Sequence, residues 1–259
     1  MTVINQKVFL KTINNICSIL FNNKKLLENK KKLNFNYFSS HIFLKITYSS
    51  NFMPLETKLI IFDVGGVVVP ECGDVIRRQI AKLIGISTQN LCELSQQSSE
   101  ETISGKKTLL QFYSELLKQL EIERDPHILL NTHLDTYKQY IQELNPYTLR
   151  IINNLKKHYN IACLTNTEHE IAQLNRERGL FEVFEPYVFL SCKMGLRKPQ
   201  PEIYQKVLDE TKSNPTESMF IDDSQEYITG AEKLGIPSIL FSNLLQLYKE
   251  FKRLEVDYN

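Results

Sequence analysis

The sequence predicts an α/β fold, in which a Rossmann-like parallel sheet carries helices on both faces and an all-helical cap is inserted. Three observations predict it. Short apolar runs alternate with amphipathic segments through the second half of the chain, as in parallel strands joined by helices. About 80 residues after the first apolar run show helical periodicity and no good strand pattern. The length of 259 residues suits one large domain or a domain with an insertion.

Five short apolar runs are predicted to form the strands of this sheet. Such runs are typical of parallel strands that are buried on both faces. The first run leads into Asp63 and a glycine pair, which predicts a turn directly after the strand. In chain order the predicted strands are Lys58–Phe62, Ile161–Leu164, Tyr187–Leu190, Met219–Ile221 and Ser238–Phe241.

Helices are predicted between these strands. The helix before the second strand begins at Asn145-Pro146, an N-cap followed by a proline at the first helical position, and its apolar residues recur at helical spacing as far as Leu155. Three further helices are predicted: Glu168–Arg178, Pro201–Glu210, and a helix that runs to Leu234. Gly179 closes the first of them and Gly235 the last, as expected of a residue that tolerates the left-handed conformation.

Residues 72–144 are predicted to form the helical cap, so that the core of the fold consists of 53–71 together with 145–259. Three apolar stripes with helical spacing support the prediction. They consist of Val75, Ile76, Ile80, Leu83 and Ile84; of Leu109, Leu110, Tyr113, Leu116, Leu117 and Leu120; and of Tyr137, Tyr140, Ile141 and Leu144.

Residues 1–52 differ in kind from the rest of the chain. They hold eight lysines and one acidic residue, nine asparagines, and neither glycine nor proline. We expect a basic, disordered or weakly helical extension, or sequence upstream of a true start at Met53-Pro54. An organelle-targeting peptide is also basic and poor in acids, but it favours arginine, which this segment lacks. A membrane-binding or nucleic-acid-binding arm is the remaining alternative.

The charge, apolar runs and cysteines of the chain argue against several classes of protein. The formal net charge is +1, and residues 53–259 carry −6 once the basic extension is set aside, which argues against a nucleic-acid-binding body. The sequence contains no apolar run of 18 residues, the length that would predict a transmembrane helix. We therefore expect no membrane partner. We expect free thiols, a cytoplasmic location and no zinc site, and the oligomeric state stays open. The five scattered cysteines are Cys17, Cys72, Cys92, Cys163 and Cys192.

Polar side chains follow four of the predicted strands. Because the carboxyl ends of parallel strands meet at one edge of a sheet, and ligands bind there, these side chains are expected to converge. They are Asp63 after the first strand, Thr165 and Asn166 after the second, Lys198 in the loop after the third, and Asp222 and Asp223 after the fourth.

Two of these segments resemble the first two motifs of the haloacid dehalogenase-like (HAD) hydrolase superfamily. The first motif is an apolar strand followed by Asp-x-Asp-Gly-x, and this chain has Ile61-Phe62-Asp63-Val64-Gly65-Gly66-Val67. The second is a strand that ends in Thr or Ser, often followed by Asn, as in Cys163-Leu164-Thr165-Asn166.

The third and fourth motifs extend the resemblance over about residues 57–242. Lys198 lies in Gly195–Tyr204, which is close to the Gly-x-x-Lys-Pro-x-x-x-Ile-Tyr of one subgroup and is the most specific signal. The acidic pair stands in Phe220-Ile221-Asp222-Asp223-Ser224. The chain looks like a member of the helical-cap subgroup near the sugar-phosphate phosphatases.

The resemblance implies a Mg²⁺-dependent phosphatase that acts on a small phosphorylated metabolite. Asp63 would be the nucleophile and would carry an aspartyl-phosphate. The metal ligands would be the Asp63 carboxylate, the Gly65 carbonyl and Asp222, with Asp223 beside them or acting through water. Thr165 and Lys198 would bind the phosphoryl oxygens. Asn166 and the backbone of Gly65-Gly66 would also contact the substrate.

Gly65 departs from the family pattern, because relatives usually have a second aspartate there. In relatives the carbonyl of that residue binds metal, and its side chain is the general acid and base. Glycine keeps the first function and loses the second, which typically costs about 10²–10⁴ in rate. A substrate with a good leaving group, or a nearby residue or water, would compensate.

Two alternatives to a phosphatase follow from Gly65. One is a metal-free dehalogenase of the same superfamily, since that branch also lacks the second aspartate. It usually lacks the acidic pair too, so Asp222 and Asp223 favour the phosphatase. The other alternative is a non-catalytic protein that binds phosphate or a partner without turnover.

Overall fold

The structure, a computed structural model, describes residues 57–141 and 146–258, with the backbone alone at Gln97. The predicted extension over 1–52 and the predicted N-cap Asn145 lie outside the described residues. The division into a core of 53–71 with 145–259 and a cap of 72–144 stays a prediction.

A five-stranded parallel sheet forms the centre of the described chain, in the order β3-β2-β1-β4-β5. The predicted strands are confirmed to within one residue at each end. Thr165 and Asp222, expected just after their strands, are instead the last residues of theirs. The strands are β1 Leu59–Phe62, β2 Asn160–Thr165, β3 Val188–Leu190, β4 Ser218–Asp222 and β5 Ser238–Leu240.

Ten α-helices are described, together with two 3-10 turns at Glu182–Phe184 and Pro215–Glu217. Five lie between β1 and β2: α1 Gly73–Ile84, α2 Thr88–Ile103, α3 Leu109–Gln119, α4 Pro126–Tyr140 and α5 Pro146–Leu155. The other five are α6 His169–Glu177, α7 Ser191–Met194, α8 Pro201–Thr211, α9 Gln225–Glu232 and α10 Leu244–Arg253.

Side chains of the central strand β1 alternate between the two faces of the sheet. Ile60 and Phe62 join one apolar cluster, which includes buried residues of α5 and α10. Leu59 and Ile61 join the other, which includes buried residues of α8 and α9. All four β1 side chains are fully buried. The prediction of helices on both faces is therefore confirmed.

The segment between β1 and α5 contains four described helices, whereas the apolar stripes predicted three. The unpredicted helix is α2, whose sequence is mostly polar and carries only a weak apolar stripe. It begins after Ser87, whose side chain accepts a hydrogen bond from the Asn90 amide at 3.1 Å. The third predicted stripe covers only the end of α4, which begins at Asp125-Pro126.

The loop between α2 and α3 is anchored beside the carboxyl ends of β2 and β3. The Ser191 hydroxyl donates to the Ile103 carbonyl at 2.7 Å and accepts from the Thr167 amide at 2.9 Å. Gly105 has φ +72°, and a Cβ there would lie 1.9 Å from the Cys192 carbonyl oxygen. The four helices are thus held next to the edge of the sheet at which the predicted site residues converge.

The described cysteines Cys72, Cys92, Cys163 and Cys192 are all free thiols, which agrees with the absence of paired cysteine motifs. Burial raises the pKa of the Cys163 thiol to about 12, so that it is protonated at neutral pH. Among the described helices, none has both the length and the apolar character needed to cross a membrane.

Candidate active site

A cleft of about 840 Å³ opens at the carboxyl ends of the strands. Asp63, Thr165, Lys198 and Asp223 line it, as predicted from their positions along the sequence. Asp222 lies beneath them and is fully buried. Lys198 does not follow β3 directly, because the short helix α7 separates it from that strand.

The ammonium group of Lys198 lies between two aspartates. Its Nζ is 2.7 Å from Asp63 Oδ1 and 2.6 Å from Asp222 Oδ2. Lys198 is only 1% exposed, and Asp63 is 6% exposed, so the ion pairs are shielded from water. Lysine is ordinarily a solvated surface charge, but Lys198 is buried and belongs to this site.

Asn166 holds the backbone of Lys198 in place. Its side-chain Oδ1 accepts from the Lys198 amide at 2.9 Å, and its Nδ2 donates to the Lys198 carbonyl at 3.1 Å. The lysine Nζ also lies 4.9 Å from the centre of the Tyr227 ring and 5.5 Å from that of Phe220, a favourable setting for a desolvated cation. The predicted contact of Asn166 with substrate stays a prediction, while its pairing with Lys198 was not predicted.

Burial and charge act together on these groups. Burial raises the pKa of Asp63, the ammonium of Lys198 opposes that rise, and the negative charge of Asp222 adds to it. For Lys198, burial disfavours the charged form, but Asp63 and Asp222 outweigh it and raise its pKa. Burial and the nearby charges of Asp222 and Glu71 likewise raise the pKa of Asp223. The three aspartates carry more negative charge than one lysine neutralises, so a further cation would be stabilised here.

The same aspartates have the geometry of a cation site. Carboxylate oxygens of Asp63, Asp222 and Asp223 all lie within 4.8 Å of one another. This is the one such grouping of three acidic, histidine or cysteine side chains in the described ranges. A set made only of oxygen donors suits a hard divalent cation rather than zinc or copper.

The two glycines after Asp63 differ in their surroundings. Gly66 has φ +73°, and a Cβ there would lie 1.9 Å from Asp223 Oδ2, so only glycine fits. Its amide donates to the Val69 carbonyl at 2.8 Å and closes the turn. A Cβ on Gly65 would meet only Glu71 Oε2, at 3.3 Å. Position 65 thus accepts a side chain only if the end of the Glu71 side chain shifts by a few tenths of an ångström.

Four carboxyl groups that line the cleft were not predicted as site residues: Glu71, Glu93, Glu100 and Glu168. Glu168 begins the turn into α6, and its sequence pattern indicates only a helix start. Burial raises its pKa to about 7, and the charges of Glu170 and Glu71 add to the rise. Glu71 lies between the glycine turn and α1, in a stretch without a recognisable motif.

Aromatic side chains from the inserted helices complete the cleft wall. Tyr113 Oη lies 2.8 Å from His133 Nδ1, and Tyr137 Oη accepts from Asn175 Nδ2 at 2.7 Å. Burial lowers the pKa of His133 to about 4, so its ring is neutral at physiological pH. These groups present hydroxyl and imidazole dipoles rather than charges to a bound molecule.

A family model described as haloacid dehalogenase-like hydrolase matches residues 57–235. A segment of 103 residues is 29% identical to bifunctional epoxide hydrolase 2 of Sus scrofa, and it covers 38% of this chain and 19% of that protein. The chain therefore spans less than a fifth of that relative's length. Over 186 residues it is 24% identical to D-ribitol-5-phosphate phosphatase of Bacteroides thetaiotaomicron, covering 69% of this chain and 88% of that one.

The fold is shared with a HAD family enzyme from Bacteroides thetaiotaomicron that was crystallised with magnesium and inorganic phosphate. The two structures have a TM-score of 0.62 at 21% sequence identity. The superposition covers 74% of this chain and 99% of that one.

Proposed function

Because this chain belongs to the haloacid dehalogenase-like hydrolases, we propose that it is a Mg²⁺-dependent phosphatase that hydrolyses a small phosphorylated metabolite. One observation carries the proposal: the Lys198 ammonium bridges Asp63 and Asp222, with Asp223 beside them, at the open carboxyl edge of the sheet. This arrangement combines a carboxylate nucleophile, a cation for phosphoryl oxygens and a set of oxygen ligands.

The metal ligands of this proposal are the carboxylates of Asp63, Asp222 and Asp223 and the backbone carbonyl of Gly65. Bound there, Mg²⁺ supplies positive charge that stabilises the developing charge of phosphoryl transfer. Two observations support this choice of metal: the donors are all oxygen, and the cluster has an excess of negative charge. The fold shared with a structure that holds magnesium and phosphate adds support.

Asp63 acts on the phosphorus atom as an anion. Lys198 at 2.7 Å favours that anionic form and reduces the repulsion between the carboxylate and an incoming phosphate. An oxygen of Asp63 forms a bond to phosphorus while the bond from phosphorus to the substrate oxygen breaks. Water then attacks the phosphorus, and the bond to Asp63 breaks to release inorganic phosphate.

The remaining predicted residues position the phosphoryl group. The Thr165 side chain is buried at the end of β2 and lines the cleft, and Lys198 lines it from the loop after α7. Backbone N–H groups of the turn around Gly65 would join them, because turns of this kind favour anions, but the Gly66 amide is already engaged by the Val69 carbonyl. Phosphoryl transfer depends chiefly on such positioning and on charge stabilisation.

The cleft volume of about 840 Å³ is in the range that holds a small molecule. Its walls combine apolar side chains with the neutral polar groups of Tyr113, His133 and Tyr137. A metabolite with hydroxyl groups beside its phosphate fits this lining. The relationship to a D-ribitol-5-phosphate phosphatase supports the same class of substrate.

The proposal is tested by measuring hydrolysis of p-nitrophenyl phosphate and acetyl phosphate by the full chain, with Mg²⁺ and with EDTA. We expect turnover that requires Mg²⁺ and disappears in Asp63→Asn, while circular dichroism shows an intact fold. Release of chloride from chloroacetate without added metal would indicate the dehalogenase instead. Phosphate or Mg²⁺ binding without any turnover would indicate a binding protein.

A further inference from the structure

Phosphate ester hydrolysis at this site needs a proton-transfer group that the residues given a role under the proposed function do not supply. The oxygen that leaves phosphorus must gain a proton, and the attacking water must lose one, which is typically worth about 10²–10⁴ in rate. Asp63 forms the bond to phosphorus. Lys198 is engaged by two carboxylates, and Asp222 is fully buried against Lys198 and the Ser224 amide. Position 65 carries no side chain.

Glu71 reaches the space beside Gly65. Of all heavy atoms outside the immediate chain neighbours, Glu71 Oε2 is the one within 4 Å of a Cβ built on Gly65, at 3.3 Å. The carboxylate oxygens of an aspartate lie about 2.4 Å from its Cβ, as a carbonyl oxygen does from the adjacent α-carbon. The Glu71 oxygen is therefore roughly 1 Å outside the shell that an aspartate at position 65 would reach.

The local backbone fixes the direction of this carboxylate. Glu71 Oε1 accepts a hydrogen bond of 2.8 Å from the amide of Gly73, the first residue of α1. That contact engages one oxygen and leaves Oε2 on the side of Gly65. The residue lines the cleft, and its charge contributes to the raised pKa of Asp223 in the cation cluster. Glu71 is thus held through one oxygen, exposed at the cleft, and next to Gly65.

We propose that Glu71, reaching in beside Gly65, is the general acid and base of this enzyme. This inference rests on the proposed phosphatase function. As the Asp63–phosphorus bond forms and the phosphorus–oxygen bond of the ester breaks, the leaving oxygen takes the proton of the Glu71 carboxyl group. The Glu71 carboxylate then takes a proton from water as the water oxygen attacks phosphorus. Asp63 and inorganic phosphate are released, and Glu71 is protonated again.

Glu168 is another carboxyl group in the cleft lining and is less exposed than Glu71, but the structure favours Glu71 as the proton-transfer group. No atom of Glu168 lies within 4 Å of the built Cβ on Gly65. Its charge instead raises the pKa values of Tyr113, Tyr137 and Cys192, which places it toward the inserted helices and β3. Glu168 is therefore better placed beside the body of a substrate than beside the leaving oxygen.

The test compares two esters of nearly the same shape, phenyl phosphate and p-nitrophenyl phosphate, in wild type and Glu71→Gln. Phenolate is the more basic leaving group and needs the proton more. We measure kcat/KM, which reports the steps up to release of the phenol and hence the phosphorylation of Asp63. Loss of a general acid predicts a fall of about 10²-fold or more with phenyl phosphate and a much smaller fall with p-nitrophenyl phosphate.

Two further variants separate chemistry from structure. Glu202→Gln makes the same change at an exposed position of α8 that is not part of the cleft lining, and it should leave both rates unchanged. Gly65→Asp in the Glu71→Gln background should restore phenyl phosphate hydrolysis, because a Cβ at position 65 requires the side-chain end of residue 71 to shift by only a few tenths of an ångström.

Equal losses with both esters, or no loss with either, would overturn the assignment of Glu71 while leaving the phosphatase proposal intact. Wild type that hydrolyses p-nitrophenyl phosphate but not phenyl phosphate would also overturn it. Wild type that hydrolyses neither ester nor acetyl phosphate would refute the phosphatase proposal itself, and the role of Glu71 with it.

Discussion

Asn166 and Lys198 are paired by two hydrogen bonds, in which the asparagine side chain binds the lysine backbone as another peptide group would. Oδ1 accepts from the Lys198 amide at 2.9 Å, and Nδ2 donates to the Lys198 carbonyl at 3.1 Å. These two hydrogen bonds hold the loop after α7 against the end of β2. They therefore fix the position of the backbone from which the Lys198 side chain extends to Asp63 and Asp222. The position of the lysine is therefore set by a neutral side chain as well as by its charged partners.

Replacing Asn166 by alanine should weaken both the fold and the activity. Leaving the Lys198 backbone groups unpaired costs about 1–3 kcal/mol, and a misplaced lysine should lower kcat/KM by up to about 10²-fold. Thermal unfolding and steady-state assays measure the two effects. Asn153→Ala, on the exposed side of α5, is the control and should change neither. Full activity in Asn166→Ala would contradict a positioning role.

Magnesium should stabilise the wild-type fold through the three aspartates. At a hundredfold excess over its Kd, a ligand that binds only the folded state adds about 2.7 kcal/mol to the free energy of unfolding. Unfolding curves with Mg²⁺ and with EDTA measure this gain. In Asp222→Asn we expect most of it to vanish, whereas Asp209→Asn, on the exposed side of α8, should keep it. An equal gain in both variants would place the ion elsewhere.

The two glycines of the turn should respond differently to alanine. Gly66→Ala forces a Cβ into the left-handed conformation and against Asp223, and we expect a loss of at least about 1–2 kcal/mol. Gly65→Ala meets only the flexible end of Glu71 and should cost much less. Chemical denaturation of both variants measures the difference. Equal destabilisation would show that the turn, rather than the contact with Asp223, requires glycine at both positions.

Glu168 should make the stability depend on pH. Its folded-state pKa of about 7 lies above the ordinary glutamate value of 4.5, so the folded protein binds the proton more tightly than the unfolded chain. The stabilisation from the protonated form is complete below about pH 4.5 and is lost as the pH rises through 7. At pH 8, Glu168→Gln should therefore be more stable than wild type by about 1 kcal/mol, after allowance for its partial exposure.

The measurement for Glu168→Gln is the melting temperature between pH 4.5 and pH 8. We expect the difference from wild type to grow as the pH rises. Glu202→Gln, at an exposed position of α8, serves as the control and should show no such trend. A difference that stays constant over this range would show that the effect of Glu168→Gln comes from packing instead of ionisation.

The sheet was predictable because its central strands β1, β2 and β4 are buried on both faces. Each strand is a short apolar run, and β1 alternates fully buried side chains between two apolar clusters. The inserted helices were less predictable, since α2 buries little and its polar sequence has a weak stripe. Helix α10 was also missed, although Leu247 and Phe251 are buried on one side of it. Its apolar residues directly follow the last predicted strand.

In the site, the residues at strand ends were predictable from topology alone, because parallel strands bring their carboxyl ends together. Lys198 was expected there, but its burial between Asp63 and Asp222 was not. Asn166 and Glu71 show the limit of pattern reasoning. The Asn166 side chain pairs with backbone 32 residues away, and the position of the Glu71 carboxylate depends on a hydrogen bond to the first amide of α1. Neither hydrogen bond produces a periodic pattern in the sequence.

The close contact between Gly105 and the Cys192 carbonyl separates two properties of the molecule. Any side chain at position 105 would push the helices over the cleft away from the strands beneath it. The atoms it would meet belong to the backbone of Cys192, which cannot move aside as the end of a flexible side chain can. None of the reacting groups lies at this seam. The width of the cleft entrance and the reaction inside the cleft therefore depend on different residues. Selectivity for the body of a substrate can diverge through residues near 105 while the four strand ends stay as they are.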